Sequence, residues 1–141
     1  MSKKSYTIGI DIGGTKILVA AFDARFRIQS EIKMKTRPDK GLSHFLDEIY
    51  DSVKQVMAEA RIKRSDILGA GVGCPGMIDS ERGVITASPN ISFLRNQPLA
   101  RLLARRVYRC AVMEFWSRPP SNVTPERRSP TLLKPATRIV R

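Results

Sequence analysis

The sequence predicts an α/β fold in which the elements follow the order β-β-β-α-β-α. Three observations support this prediction. Short apolar runs at residues 6–10 and 17–22 flank a Gly-Gly dipeptide, as the two strands of a hairpin would. Apolar residues recur at helical spacing over residues 42–60. Glycine alternates with small apolar residues over 69–73, which is typical of a strand with one bare face.

The segment that joins the first two strands has a composition that suits phosphate binding. It reads Asp11-Ile12-Gly13-Gly14-Thr15-Lys16. We expect the two glycines to supply the positive φ of a tight turn and to expose backbone N–H groups as an anion-binding nest. Thr15 adds a hydroxyl donor, Lys16 a positive charge, and Asp11 a carboxylate placed to hold a metal-bound water. On this hairpin alone, an ordinary Gly-Gly turn without a ligand is the better supported interpretation.

Residues 27–60 are predicted to form a third strand and an amphipathic helix. Residues 27–35 alternate loosely and carry lysines that discourage pairing at a sheet edge. Residues 36–41 form a loop, and the helix that follows at 42–60 turns its apolar stripe toward a core. His44, the only histidine, is expected on the surface of this helix and not in a catalytic or metal-binding role.

A second glycine-rich block occupies residues 69–91. The bare face of the strand at 67–73 indicates close approach by another backbone or by a ligand. Pro75-Gly76 predicts a turn, and residues 77–78 and 84–85 could pair as a short hairpin. Asn90 has an amide that can donate to and accept from a hydroxyl, although a turn residue after proline is the simpler explanation. A helix is predicted to start at residues 98–106.

In this order and at this distance, the two blocks together resemble the amino-terminal half of the ROK family (repressor, open reading frame, kinase), which contains glucokinase-like bacterial sugar kinases. The resemblance runs over about residues 6–106. The residues that carry it are Asp11, Gly13, Gly14, Thr15 and Lys16 at the phosphate-binding hairpin, Gly71, Gly73, Pro75, Gly76 and Asp79 in the second glycine-rich segment, and Ala87, Pro89 and Asn90 in the segment that leads to a sugar-contacting asparagine.

The resemblance implies an actin/hexokinase-like (ribonuclease H-like) ATPase fold and ATP-dependent phosphorylation of a hexose or amino sugar. It implies that ATP and Mg²⁺ are bound by Asp11, Gly13, Gly14, Thr15 and Lys16. It assigns sugar contacts to Gly76 and Asn90.

No catalytic residue and no metal ligand is assigned to this chain. The family's catalytic aspartate follows the next strand in a Glu-Asn-Asp sequence, and the nearest alignment places Trp116 there. No aspartate follows Asp79, and the family's cysteine-rich zinc segment is missing. The resemblance therefore implies a chain without the catalytic base and without the zinc site.

The composition changes after residue 103. The net charge is +5 over residues 1–103 and +7 over 104–141, all nine glycines precede residue 84, and five of the nine prolines follow residue 118. We expect an incomplete ATPase domain at 1–106 and a basic, Arg/Pro-rich, disordered tail at 107–141. The abrupt change favours a frameshift or premature stop, which would leave an inactive fragment. Its sheet would lack the strand after the helix at 98–106 and keep an open edge.

The strong positive charge supports a second hypothesis of a different class. A net charge of +12 and a sequence pI of about 10.4 suit weak, non-specific and salt-dependent contact with nucleic acid through the tail. No helix-turn-helix, zinc-finger or RNA-binding signature supports it, and a sugar- or phosphate-sensing protein without catalysis is a further alternative. The candidate contacts are Arg105, Arg106, Arg109, Arg118, Arg127 and Arg128.

Targeting and cysteine patterns are uninformative in this sequence. No leader pattern is visible, and the longest apolar run, at residues 17–22, is too short to cross a membrane. We therefore expect a cytoplasmic protein without membrane contact. Cys74 and Cys110 show neither metal-ligand nor disulfide spacing.

Overall fold

The computed structural model describes residues 5–105 and 110–114, the last five by their backbone. The prediction made for Trp116 lies outside the described residues, and so does the predicted disordered tail at 107–141 except for residues 110–114. The elements in chain order are β1 (Tyr6–Ile12), β2 (Lys16–Phe22), β3 (Ile28–Lys35), α1 (Gly41–Glu59), β4 (Ile67–Cys74), β5 (Met77–Asp79), β6 (Val84–Ala87), α2 (Leu99–Ala104) and β7 (Cys110–Glu114).

Five of the strands form one mixed sheet in the order β3-β2-β1-β4-β7. The pairs β1–β2 and β2–β3 are antiparallel, whereas β1–β4 and β4–β7 are parallel. The antiparallel pairs follow from short connections, and the parallel pairs follow from crossovers that contain α1 and α2. The strands β5 and β6 form a separate antiparallel hairpin. The predicted edge position of the lysine-bearing third strand is confirmed.

One face of the sheet and the apolar stripe of α1 form the core. Alternate residues of β1 and β2 lie opposite one another on this face, with Ile10 facing Val19 and Ile12 facing Ile17, and all are buried. The helix contributes Phe45 and other apolar residues to the same cluster, and the Phe45 ring meets Phe93 edge to face at 5.3 Å between centroids. Burial of such side chains stabilises each by about 1.5–3 kcal/mol.

His44 lies on the half-exposed face of α1, as its position in the sequence predicts. Its Nε2 atom is 3.3 Å from a carboxylate oxygen of Glu48, one helical turn away. The apolar stripe faces the sheet and the polar side chains face outward, so the amphipathic pattern alone was sufficient to orient this helix.

The expectation that the sheet lacks a strand after α2 is wrong. Residues Cys110–Glu114 form β7, which pairs in parallel with β4 so that Ala70 faces Cys110 and Cys74 faces Glu114. The apolar run Cys-Ala-Val-Met supplies a strand despite the change of composition that begins a few residues earlier, because pairing with β4 depends on the local pattern and not on the overall charge. The helix α2 ends at Ala104, two residues before the predicted end.

Candidate functional site

The turn between β1 and β2 is held by backbone and side-chain hydrogen bonds. The Gly13 N–H donates to the Lys16 carbonyl at 2.8 Å, and Ile12 faces Ile17 as the last strand pair. Thr36, the first residue after β3, donates its hydroxyl to the Gly13 carbonyl at 2.7 Å. The Thr36 N–H donates to the Thr15 carbonyl at 3.0 Å. The turn is therefore fixed from both sides.

The expected positive φ at Gly13 and Gly14 is wrong. The described glycines with positive φ are Gly41, Gly76 and Gly83. The physical reason for glycine in the turn is space: a Cβ atom at Gly13 would lie 2.7 Å from the Lys16 carbonyl oxygen. This separation is shorter than real Cβ contacts allow, so the turn needs glycine for close approach and not for a left-handed backbone.

The amides of Gly14 and Thr15 are available to a ligand. Among the hydrogen bonds of residues 5–105, neither amide donates to any acceptor. Two successive N–H groups without acceptors, beside a glycine, match the backbone nest that binds anions. The predicted cradle is thus compatible with a phosphate group.

Lysine side chains flank this turn on the exposed face of the sheet. Lys16 lies directly opposite Lys35 on β3, and both are exposed. Like charges at directly opposed positions destabilise a sheet unless an anion lies between them. In the described part of the chain, neither lysine forms an ion pair with a carboxylate, so both charges remain available for a phosphate.

Asp11 connects the two glycine-rich blocks through the sheet. It faces Leu18 on β2 and Gly73 on β4, and it is exposed on the side of the sheet away from α1. Gly73 carries no side chain, so its strand adds no Cβ atom beside Asp11. The structure therefore brings the predicted phosphate-binding hairpin and the second block together as neighbouring strands.

Asn90 lies against the turn itself. A Cβ atom built at Gly14 would be 3.0 Å from the Asn90 Cβ and 3.2 Å from its amide nitrogen. The residues predicted to bind phosphate and sugar, which are 76 positions apart in the sequence, are thus adjacent in space. A Cβ at position 14 would require Asn90 to shift by a few tenths of an ångström.

Gly76 shapes the segment that leads to Asn90. Its φ is +129°, and a Cβ at this position would overlap the carbonyl oxygen of Ala87. The structure thus places Gly76 against Ala87, the last residue of β6, from which the chain continues to Asn90. A direct sugar contact by Gly76 stays a prediction.

No sequence pattern indicates two buried hydroxyl residues near the site. Thr36 lies in the predicted loop at 36–41, Ser88 precedes Pro89 without a motif of its own, and both are 8% exposed. Ser88 carries a buried hydroxyl oxygen without a hydrogen-bond partner among the described residues. No sequence signal marks Thr36, because its contact with Gly13 spans 23 residues.

Cys74, at the end of β4, is fully buried next to the site. Burial, with a smaller contribution from the negative charge of Asp11, raises the pKa of Cys74 from 9.0 to about 12. The thiol therefore stays protonated in the folded protein at neutral pH. Its role as a small apolar filler agrees with the expectation from the sequence.

The raised pKa of Cys74 predicts a loss of stability at alkaline pH. The folded protein retains the thiol proton up to about pH 12, whereas the unfolded chain releases it near 9.0. The stabilisation is thus complete below pH 9 and is lost progressively as the pH rises toward 12. Two proteins are compared by urea unfolding: Cys110→Ser, and Cys110→Ser with Cys74→Ala. Between pH 9 and 12, we expect the free energy of unfolding of the first to fall by about 1 kcal/mol per pH unit more than that of the second. Equal pH slopes in the two proteins would contradict this expectation.

Neither helix in the described part of the chain has the length and apolar character needed to cross a bilayer. Within the same residues, no group of three His, Cys, Asp or Glu side chains is arranged to hold a metal ion. Of the arginines proposed to contact nucleic acid, the structure describes the side chain of Arg105 alone, so that hypothesis stays a prediction from the sequence.

Comparison with known proteins identifies the same family that the sequence motifs resemble. The ROK family matches residues 7–114. The N-acetyl-D-glucosamine kinase of Salmonella paratyphi C (strain RKS4594) is 37% identical over 101 residues, which are 72% of this chain and 31% of that protein. The chain thus spans about a third of the length of the curated relatives that it matches.

Solved structures of the same family superpose on the described fold. A ROK hexokinase from Thermus thermophilus aligns with a TM-score of 0.68 at 28% identity, over 77% of this chain and 35% of that one. A ROK family glucokinase from Streptomyces griseus, solved in complex with glucose and AMPPNP, aligns with a TM-score of 0.58 at 31% identity, over 78% and 32% of the two chains. The actin/hexokinase-like architecture predicted from the sequence is confirmed. The family match also continues through β7, eight residues beyond the predicted limit at 106.

Proposed function

Because the chain belongs to the ROK family, we propose that it supplies the phosphate-binding and part of the sugar-binding surface of an ATP-dependent kinase for a hexose or amino sugar in the cytoplasm. The observation that carries this proposal is the approach of Gly14 to Asn90. Phosphoryl transfer depends on holding the nucleotide phosphates and the sugar hydroxyl next to each other.

The phosphate side of this site consists of the hairpin turn. The amides of Gly14 and Thr15, the Thr15 hydroxyl and the Lys16 ammonium group are the donors for the phosphates of ATP. Asp11 would hold a water of the Mg²⁺ ion, since hydrated carboxylate binding is typical of this metal. ATP supplies the phosphoryl group, and the hairpin orients it and offsets its charge.

The sugar side of the site begins at Asn90. Its amide can donate to one hydroxyl and accept from another, which is the chemistry needed to orient a hexose. Gly76 lies against the strand end that leads to Asn90, and we assign it to the same surface. The N-acetyl group of an amino sugar and the hydroxyl of a hexose would both suit an amide partner.

We propose that the 141 residues bind phosphate but do not phosphorylate a sugar. Transfer requires a base that orients and deprotonates the sugar hydroxyl. The resemblance places Trp116 at the position of that base, and an indole cannot accept the proton of a sugar hydroxyl. Without a positioned base, the sugar hydroxyl is neither oriented nor deprotonated by a side chain, and the rate contribution of general-base catalysis is lost.

Titration of the ¹⁵N-labelled protein with sodium pyrophosphate and with ATP and Mg²⁺ tests the binding part of this proposal. We expect saturable amide shifts at Gly14 and Thr15. The variant Lys16→Ala should bind pyrophosphate about tenfold more weakly, because a charged hydrogen bond is lost. Lys63→Ala is the matched control, since it removes the same charge before β4, at the opposite end of the sheet from the turn. Equal losses in both variants would indicate non-specific attraction to a basic protein and contradict the proposal.

A coupled assay for ADP release tests the absence of catalysis. With glucose or N-acetylglucosamine present, we expect no ADP above the control without sugar. Sugar-dependent ADP release that Asn90→Ala abolishes would contradict the assignment of an inactive chain.

A further inference from the structure

Thr36 donates two hydrogen bonds to the backbone of the phosphate-binding turn. It is buried, and it lies just beyond the end of β3, outside the strand pairing. Its hydroxyl donates to the carbonyl of Gly13 at 2.7 Å, and its own N–H donates to the carbonyl of Thr15 at 3.0 Å. One residue therefore holds the carbonyl groups on both sides of Gly14.

The direction of a carbonyl determines the direction of the next amide. The peptide unit is planar and trans, so its C=O and N–H groups point to opposite sides. The Gly13 carbonyl points to Thr36, and the Gly14 N–H therefore points away from Thr36. The same relation holds between the Thr15 carbonyl and the Lys16 N–H.

A restraint of this kind is needed at a pair of glycines. Glycine has access to more backbone conformations than any other residue, so an unrestrained Gly-Gly turn would lose entropy when it binds an anion. The Gly13 N–H is already fixed by its bond to the Lys16 carbonyl. The hydroxyl of Thr36 adds the restraint on the Gly13–Gly14 peptide plane that this backbone bond does not supply.

We propose that Thr36 is a positioning residue that orients the Gly14 amide of the hairpin for phosphate binding. This inference rests on the proposed phosphate-binding function of the same turn. Thr36 acts through the backbone of Gly13 and Thr15 and does not itself contact the phosphate. Its hydroxyl, and not its volume, is the feature that the turn requires.

The test uses the full 141-residue chain with sodium pyrophosphate as the probe. Thr36→Val keeps the shape and removes the donor, Thr36→Ser keeps the donor, and Thr36→Cys replaces it with a weak one. Ser52→Ala is the matched control: it removes another buried hydroxyl, one that points to the Met34 sulfur in the core at 3.5 Å and not to the turn. The measurements are the dissociation constant and, without ligand, the hydrogen exchange of the Gly13 and Gly14 amides.

We expect Thr36→Val to weaken pyrophosphate binding about tenfold and to accelerate exchange of the Gly13 amide to a similar degree, since one hydrogen bond to the partly buried Gly13 carbonyl is lost. Thr36→Ser should stay within about twofold of the unchanged protein. Thr36→Cys should be intermediate, which keeps the test informative if the valine variant does not fold. Ser52→Ala should lower stability without changing the dissociation constant.

Two results would overturn the inference: unchanged binding in Thr36→Val, or equal losses in the valine and serine variants. Failure of the unchanged protein to bind pyrophosphate would instead contradict the proposed function. The inference on Thr36 would then be decided by amide exchange alone. Faster exchange in Thr36→Val that serine restores supports it, and unchanged exchange refutes it.

Discussion

Replacement of Gly76 by alanine is expected to lower the free energy of unfolding by about 3–5 kcal/mol. Two costs add at this position. The backbone has a φ of +129°, which residues with a Cβ rarely adopt, and the new Cβ would overlap the carbonyl oxygen of Ala87. The Ala87 carbonyl cannot move away without displacing the end of β6, and the Gly76 backbone cannot move away without displacing the turn between β4 and β5. Urea unfolding followed by circular dichroism measures the change.

Gly41→Ala is the matched control for this prediction. Gly41 also has a positive φ, of +80°, but a Cβ there has no neighbour within 4 Å. Its replacement carries only the conformational cost, which is about 1–3 kcal/mol for a φ of 80° with a ψ of 176°. If Gly76→Ala lowers the free energy of unfolding no more than Gly41→Ala does, the contact with Ala87 adds no measurable cost. That result would contradict the argument that Gly76 is required for the packing of this turn against the end of β6.

Replacement of Gly13 by alanine is expected to lower the free energy of unfolding by about 2–3 kcal/mol and to abolish pyrophosphate binding. The added Cβ would lie 2.7 Å from the Lys16 carbonyl oxygen, which already accepts the Gly13 N–H at 2.8 Å. The clash is with backbone inside a closed turn, so relief requires opening of the hairpin. An opened hairpin no longer holds the Gly14 and Thr15 amides together.

Gly9→Ala, on strand β1 just before the turn, provides a control. A Cβ at Gly9 would lie 2.8 Å from the Phe22 ring, which is a similar separation. The ring is the half-exposed end of a mobile side chain and can rotate away, so we expect a loss below about 1 kcal/mol and unchanged pyrophosphate binding. Urea unfolding and the pyrophosphate titration are measured on both variants. Comparable losses in the two variants would mean that the hairpin turn has no special requirement for glycine at position 13.

Most of the fold was predictable because its elements have strong local patterns. The strands on either side of the Gly-Gly turn, the edge strand with its lysines and the amphipathic helix ending near residue 60 all follow from spacings of two or about 3.6 residues. β7 was not predicted, because the surrounding residues changed in composition just before it. An apolar run of four residues between arginine and glutamate is too short to identify a strand without its partner β4.

The candidate site shows the same division between local and distant information. Asp11, Gly13, Gly14, Thr15 and Lys16 could be proposed because they are consecutive or nearly so, and a motif of that length has a recognisable chemistry. The positive φ that the sequence predicts for Gly13 and Gly14 is not observed. A Cβ at Gly13 would lie 2.7 Å from the Lys16 carbonyl oxygen, and a Cβ at Gly14 would lie 3.0 Å from Asn90, which is remote in the sequence.

The sequence by itself determined the order of the elements, the face of the helix that packs on the sheet and the residue types of a phosphate-binding turn. Only the tertiary structure decided that Asn90 lies against Gly14 and that Thr36 holds the turn through the Gly13 carbonyl. The physical reason is the separation along the chain of the residues that interact. Periodicity and turn chemistry act over a few neighbouring residues, whereas these contacts join segments that approach one another only after the sheet has assembled.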